Sequence, residues 1–242
     1  MDIKALQLAS RFALPPNSLG YCGKNTAPEK FKKCATRGRC DGVADEISKF
    51  IVLYPYLKTL SQITKLPNYS YKVIEAYWFG NDELKKAGLK HYSVLLENFK
   101  RQGVPSWLVE ELKEKKPKKF IPNHLFQILH VGVGRASGAV PHNLESINNC
   151  MIRWGKAEKV KGSKIEVNIN SLATASRAKR GDLVFDDRLL RSDTRNDDRV
   201  FETYKLVLKQ ETLSFSRKFL GPVKVGDVVA VHWNQVVKIL TK

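Results

Sequence analysis

The chain has 242 residues, 43% hydrophobic, 27% charged and 10% aromatic, enough to bury a sizeable core in one or two domains. With 15 glycines and 10 prolines, neither a collagen-like repeat nor a low-complexity disordered chain fits. Lys and Arg outnumber Asp and Glu by 42 to 24, a formal charge of +18 that attracts polyanions, RNA or DNA first among them, or an acidic protein partner. The longest apolar runs, such as Val228–Val231, are far too short for a bilayer, and Met1-Asp2-Ile3-Lys4 does not open a secretory signal. The expectation is a soluble cytoplasmic protein. Four cysteines in a chain of this length do not make a disulfide framework.

Up to about residue 145 the pattern is helical. Ile3, Leu6, Leu8, Ala9, Phe12 and Ala13 recur at helical spacing, and Pro15-Pro16 is expected to stop the helix. A longer helix is expected after Asp41, with Val43, Ile47, Phe50, Ile51, Tyr54 and Leu57 on one face and Pro55 kinking or ending it. Tyr71–Phe79, Asp82–Phe99, Pro105–Glu114 and Asn123–Val131 complete the helical set. No repeat of fixed period is visible, which excludes a solenoid. The basic run Lys113–Lys119 reads as a solvated loop beside a proline, and Gly132–Pro141 as a turn leading to a second region.

From Cys150 onward the period changes. Lys164–Asn170 alternates as a half-buried strand does, and Phe201–Leu208, Glu211–Phe215, Val228–Val231 and Val236–Leu240 are β-rich, with turns at Gly162-Ser163 and Gly226-Asp227. Residues 173–199 are polar and dense in Arg and Asp, and read as an excursion from the sheet. The expected fold is α+β: a helical domain over residues 1–145 and a small β-barrel over 146–242, since closure removes exposed strand edges.

Two segments of the β region resemble the hydrogenase maturation chaperones of the HypC/HupF type. One is Cys150-Met151-Ile152-Arg153-Trp154-Gly155-Lys156, and the other is Val223-Lys224-Val225-Gly226-Asp227-Val228-Val229-Ala230-Val231-His232. The resemblance implies a carrier rather than an enzyme. It would hold iron, as an Fe(CN)2CO unit, through Cys150 and His232, and pass it to a hydrogenase maturation protein or the hydrogenase large subunit. The whole chain also resembles an uncharacterised prokaryotic family through Leu19–Gly23 (LGYCG), Glu75–Asn81 (EAYWFGN) and Cys150–Gly155.

A thiolate and a neutral imidazole suit a borderline or soft metal, and two protein ligands leave positions open for cargo. Taken without the resemblance, Cys150 reads as a small buried hydrophobe and His232 as a strand residue beside Trp233. Cys22, flanked by glycines, is a further candidate ligand, with a buried cysteine in a tight turn as its alternative. His142, close to Cys150 in sequence, is a candidate third member; for it, and for His124 and His130, the default is a helix-facing core or surface residue. Cys34 and Cys40 have no metal-ligand spacing and read as incidental. The aromatic run Tyr77-Trp78-Phe79 reads as core packing before a helix end, with Asn81-Asp82 capping the next helix. The second functional reading is a basic RNA-, DNA- or ribosome-binding protein, with Arg153, Trp154, Lys156, Lys159 and Lys161 forming the binding face.

Overall fold

The computed structural model describes residues 2–23, 27–175 and 203–240, and shows a mixed α+β protein in which helices precede a five-stranded sheet. The first helix, α1 (Ile3–Ser18), is capped by Asp2, whose carboxylate accepts from the Ala5 N–H at 3.2 Å. It does not stop at Pro15-Pro16 but runs through both, because the two prolines sit near its end, where few downstream bonds are forfeited. Pro16 has no N–H, so the carbonyl of Phe12 is left without its helical donor.

A helix outside the expected set, α2 (Pro28–Arg37), begins on a proline and ends on Gly38 at a φ of 66°. The single helix expected after Asp41 is two, α3 (Val43–Ser48) and α4 (Leu53–Thr64). Pro55 falls in the first turn of α4, where a missing N–H costs nothing, so it neither kinks nor ends that helix. Helix α5 (Tyr71–Trp78) follows the expected range, and Asn81 caps the next turn by accepting from the Glu83 N–H at 3.0 Å. The expected Asp82–Phe99 helix begins instead as two short 3-10 turns before α6 (Tyr92–Gln102). Helix α7 (Ser106–Glu114) precedes the Lys-rich loop. Then α8 (His124–Phe126), capped by Asn123, passes directly into a π-helical turn over Gln127–Val131. The turn region 132–141 leads to α9 (Leu144–Cys150).

The sheet comprises β1 (Arg153–Lys161), β2 (Lys164–Ala175), β3 (Thr203–Ser214), β4 (Val228–His232) and β5 (Gln235–Ile239), with a short α10 (Arg217–Leu220) after β3. Phe201–Leu208 and Glu211–Phe215, expected as separate strands, fall largely within the one strand β3. Of the expected excursion over 173–199, Ala173–Ala175 belong to β2 and the rest lies outside the described residues. Pairing runs in the closed order β1-β2-β3-β5-β4, antiparallel except for a single parallel bridge, Ser214 to Gln235. Gly155 of β1 is required by close approach: a Cβ there would lie 2.3 Å from the Asn168 carbonyl oxygen.

The helical core, with Phe12, Tyr56, Tyr77 and Phe99 buried, also takes in Ala230 of β4 and Val237 of β5, so the helices pack on the sheet through shared apolar residues. Among the described residues no helix is long and apolar enough to cross a membrane.

Cys34 and Cys40, expected to be incidental, form a disulfide that ties the end of α2 to the approach of α3. Gly38 turns the chain back between them, which no metal-ligand spacing rule anticipates. Closing so short a loop is worth about 2 kcal/mol. Cys40→Ser is expected to lower the unfolding free energy from urea titration by that amount, and reductant to bring the wild type to the same value. A wild-type midpoint indifferent to reductant counts against the bond.

Candidate metal centre

Antiparallel pairing places the start of β1 beside the end of β4, with Arg153 opposite Val231. Cys150, at the end of α9 just before β1, is thereby brought to His232, the last residue of β4. His124, the first residue of α8, completes the group. One ring nitrogen from each histidine and the Cys150 Sγ all lie within 4.8 Å of one another, and all three residues are buried.

The His232 ring is oriented from α1. Its Nδ1 lies 2.7 Å from the Phe12 carbonyl, the group released by Pro16, and since a carbonyl only accepts, Nδ1 carries the proton. In the neutral ring Nε2 is therefore a bare lone pair, and it has no hydrogen-bond partner although the residue is only 2% exposed. Burial first, and then the neighbouring His124, hold His232 well below the usual imidazole range, outweighing the backbone carbonyls of Phe12 and Cys150, which favour the charged ring.

His124 Nε2 lies 2.9 Å from the Cys150 carbonyl and 3.9 Å from its Sγ. On the other side of the ring, the Tyr77 hydroxyl sits 2.9 Å from Nδ1 and also hydrogen-bonds the Gln127 side-chain oxygen. That hydroxyl can serve either tautomer. It donates to Nδ1 when Nε2–H bonds the carbonyl, or accepts from Nδ1–H when Nε2 is bare and its own proton goes to Gln127. Burial pushes His124 down to about 4, against the opposing bond to Cys150. The Cys150 thiol is raised well above its ordinary value, by burial first and then by Cys22, with the Trp233 indole acting in the opposite direction.

Aromatic rings wall the cluster. Trp78 lies 4.6 Å from the His124 ring and 5.6 Å from the His232 ring, centroid to centroid. Tyr77-Trp78 is thus core, as expected, and the core it builds is the housing of the three ligand candidates. A cavity of about 100 Å³ adjoins them, with Tyr21, Cys22 and Trp233 among its other walls. The turn from β4 to β5 carries positive φ at Trp233 (48°) and Asn234 (58°), a conformation that costs a bulky residue free energy. It is held by the Trp233 N–H bonding the Asn149 carbonyl at 2.8 Å and by Tyr21 against the indole at 4.7 Å.

Of the candidates from the sequence, Cys150 and His232 come together. Cys22 reaches the same cavity without entering the tight group, and burial raises its thiol to about 12. His142 is not a member of the three-residue group: its Nδ1 is bound to the Val133 carbonyl at 3.2 Å, and Asn143 caps α9 between it and Cys150. His124 takes the place expected of His142; the sequence signal available was only an Asn cap before a short apolar stretch. In the alternative nucleic-acid face, Trp154 and Lys156 are exposed, Lys161 lies at the end of β1, and Lys159 is paired with Glu166 at 2.9 Å. Arg153 is turned inward, 3% exposed, with a bidentate bond to Glu211 at 2.6 and 3.0 Å, so it offers nothing to a surface ligand.

The chain belongs to the family described as a family of unknown function (DUF6390), whose model matches residues 2–242. No curated protein and no solved structure matches it.

Proposed function

We propose that this protein binds a transition-metal ion through His124, Cys150 and His232 and handles it as a chaperone does, with iron as cargo. The observation that carries the reading is the His232 ring, whose Nε2 is buried and without a hydrogen-bond partner in a residue that clusters with two other ligand-type groups. A buried acceptor without a partner costs about 1–3 kcal/mol, and a metal ion removes that cost. The fixed Nδ1–H bond to Phe12 is the outer-sphere contact that ligating histidines ordinarily make, and Tyr77 with Gln127 supplies its counterpart for His124. Two imidazoles and a thiolate suit iron, zinc or copper, and three protein ligands leave coordination open toward the adjoining cavity.

Within that range, a role in [NiFe]-hydrogenase maturation fits the resemblance of the two β segments, and the pair it singles out, Cys150 and His232, lies in one cluster. A hydrogenase maturation protein or the large subunit is then the partner, and Fe(CN)2CO the iron fragment carried. Because the Cys150 thiol is held protonated by burial, uptake of metal would release its proton, and loading would strengthen as pH rises.

The test is metal analysis and infrared spectroscopy of protein purified anaerobically from its native host, with cobalt(II) uptake by the metal-free protein alongside. Stoichiometric metal is expected in the wild type and in His142→Ala. Cys150→Ala, His124→Ala and His232→Ala are expected to lose at least about tenfold in affinity. CO and cyanide stretches would identify the cargo. A protein that takes up no metal, or three variants that bind as the wild type does while keeping its circular dichroism, refutes the reading.

A further inference from the structure

A second hollow, of about 220 Å³, opens between the α8 segment and the outer face of β1, β2 and β3. Leu125, Trp154 and Leu206 stand at its mouth, each more than two-fifths exposed. Register extends this face. Asn170 pairs with Leu208 and Leu172 with Leu206, so Leu206 and Leu208 project on the same side of β3, and Leu208 is 66% exposed. Four large apolar side chains in one patch around a hollow are what a binding surface presents, whereas a scattered exposed leucine needs no explanation.

The floor of the groove is Trp78 and Met151. Trp78 packs on both His124 and His232, and Met151 follows Cys150 in the chain, so a molecule seated in the groove lies one side chain away from the metal cluster. Two lysines flank the groove. Lys156 is exposed two residues after Trp154 on β1, and Lys238 places its Nζ 4.6 Å above the ring of Phe79, another wall of the groove. Glu166, on the same side of β2 as Asn170, is bound by Lys159.

We propose that this groove docks an acidic segment of a partner protein, which inserts one large apolar side chain between Trp154 and Leu206 while its carboxylates face Lys156 and Lys238. Charge selects this occupant. A second copy would bring another +18 chain and set lysine against lysine. RNA would want free arginines beside its stacking aromatics, whereas the aromatics of this groove, Phe79, Trp154 and Tyr204, stand among leucines, and the arginine that lines it, Arg153, is held by Glu211. The inference deepens the metal-handling reading, on which it rests for the purpose of the docking, by naming the surface through which cargo would change hands.

The probe is a fluorescein-labelled synthetic peptide of Asp and Glu around a central Phe-Leu pair, followed by anisotropy against metal-free and cobalt-loaded protein. Trp154→Ala and Leu208→Glu, both at exposed positions and checked by circular dichroism, are expected to weaken binding at least about tenfold. Lys156→Glu is expected to weaken it several-fold at low salt and less at high salt. A peptide with Ser-Ser at its centre is expected to lose as much as Trp154→Ala does. The proposal is overturned if the serine peptide binds equally well, if no peptide binds, if oligouridine binds and displaces the peptide, or if the wild type self-associates through this face and Leu208→Glu does not. Absent peptide binding with normal cobalt uptake overturns the docking alone. Peptide binding by a protein that takes up no cobalt overturns the metal reading alone.

Discussion

Metal-free protein will lose most of its stability as the pH falls from about 6.5 to about 4. His124 and His130 are both buried as neutral rings, and burial moves each from 6.5 down to about 4. In that window the unfolded chain takes up protons that the folded chain refuses, so stability is fully present above about 6.5 and is lost as the pH passes through 4. Each ring is worth about 3 kcal/mol by this linkage, and His232 acts in the same direction. Together they rival the whole stability of an ordinary domain. Glu111 carries the loss lower still: it is held down to about 2, chiefly by its hydrogen bond from Arg135, so its contribution disappears only between 4.5 and 2. At the alkaline end the signs reverse. Cys22 and Cys150 are raised from 9.0, and their contribution is lost as the unfolded thiols ionise above that pH. Urea unfolding at constant ionic strength should therefore give a plateau between pH 7 and 8.5 with a steep acid limb. His130→Gln, which touches no ligand candidate, should flatten that limb by about 3 kcal/mol. A midpoint unchanged from pH 7 to 4.5 would refute the buried neutral histidines.

The β half of the fold was the more legible part of the sequence, because strand alternation and Gly-Asp turns are local signals. Lys164–Asn170 and Val228–Val231 fall within strands as expected, and β3 was divided only because Lys209 and Gln210 interrupt its apolar run. The helices were blurred where breaks depend on packing. Lys49–Val52 separates α3 from α4 without a proline or glycine to announce it. The resemblance singles out Cys150 and His232, yet their proximity belongs to the β1–β4 register, a non-local property. His142 was favoured over His124 by nearness in sequence, which the Asn143 cap and the turn before it make irrelevant. Pro15-Pro16 shows a local signal with a tertiary use. Read as a helix stop, the pair instead leaves the Phe12 carbonyl free, and that carbonyl sets the tautomer of a histidine at the opposite end of the chain.

Glu211→Ala should destabilise the protein by about 3 kcal/mol and Arg153→Met by about 1, although both break the same ion pair. The asymmetry follows from burial. The Arg153 guanidinium is 3% exposed, and its bonds to Glu211 and to the Ser171 hydroxyl at 2.8 Å are what hold its charge inside the sheet. Removing Glu211 strands that charge, whereas removing the charge leaves Glu211, about a quarter exposed, able to turn to water. Met keeps most of the apolar stem in place. The double variant should recover most of what Glu211→Ala loses, so a cycle of the four proteins isolates the stranded charge. A functional consequence is expected as well. Arg153 also lies 3.5 Å from the Asn234 side-chain oxygen, in the strained turn that follows His232. Once the guanidinium is released, the turn loses one of its ties, and cobalt affinity in Glu211→Ala should fall several-fold although no ligand has been altered. If Arg153→Met proves the more damaging of the two, or if cobalt affinity is unchanged in a folded Glu211→Ala protein, Arg153 does not support the turn that carries His232.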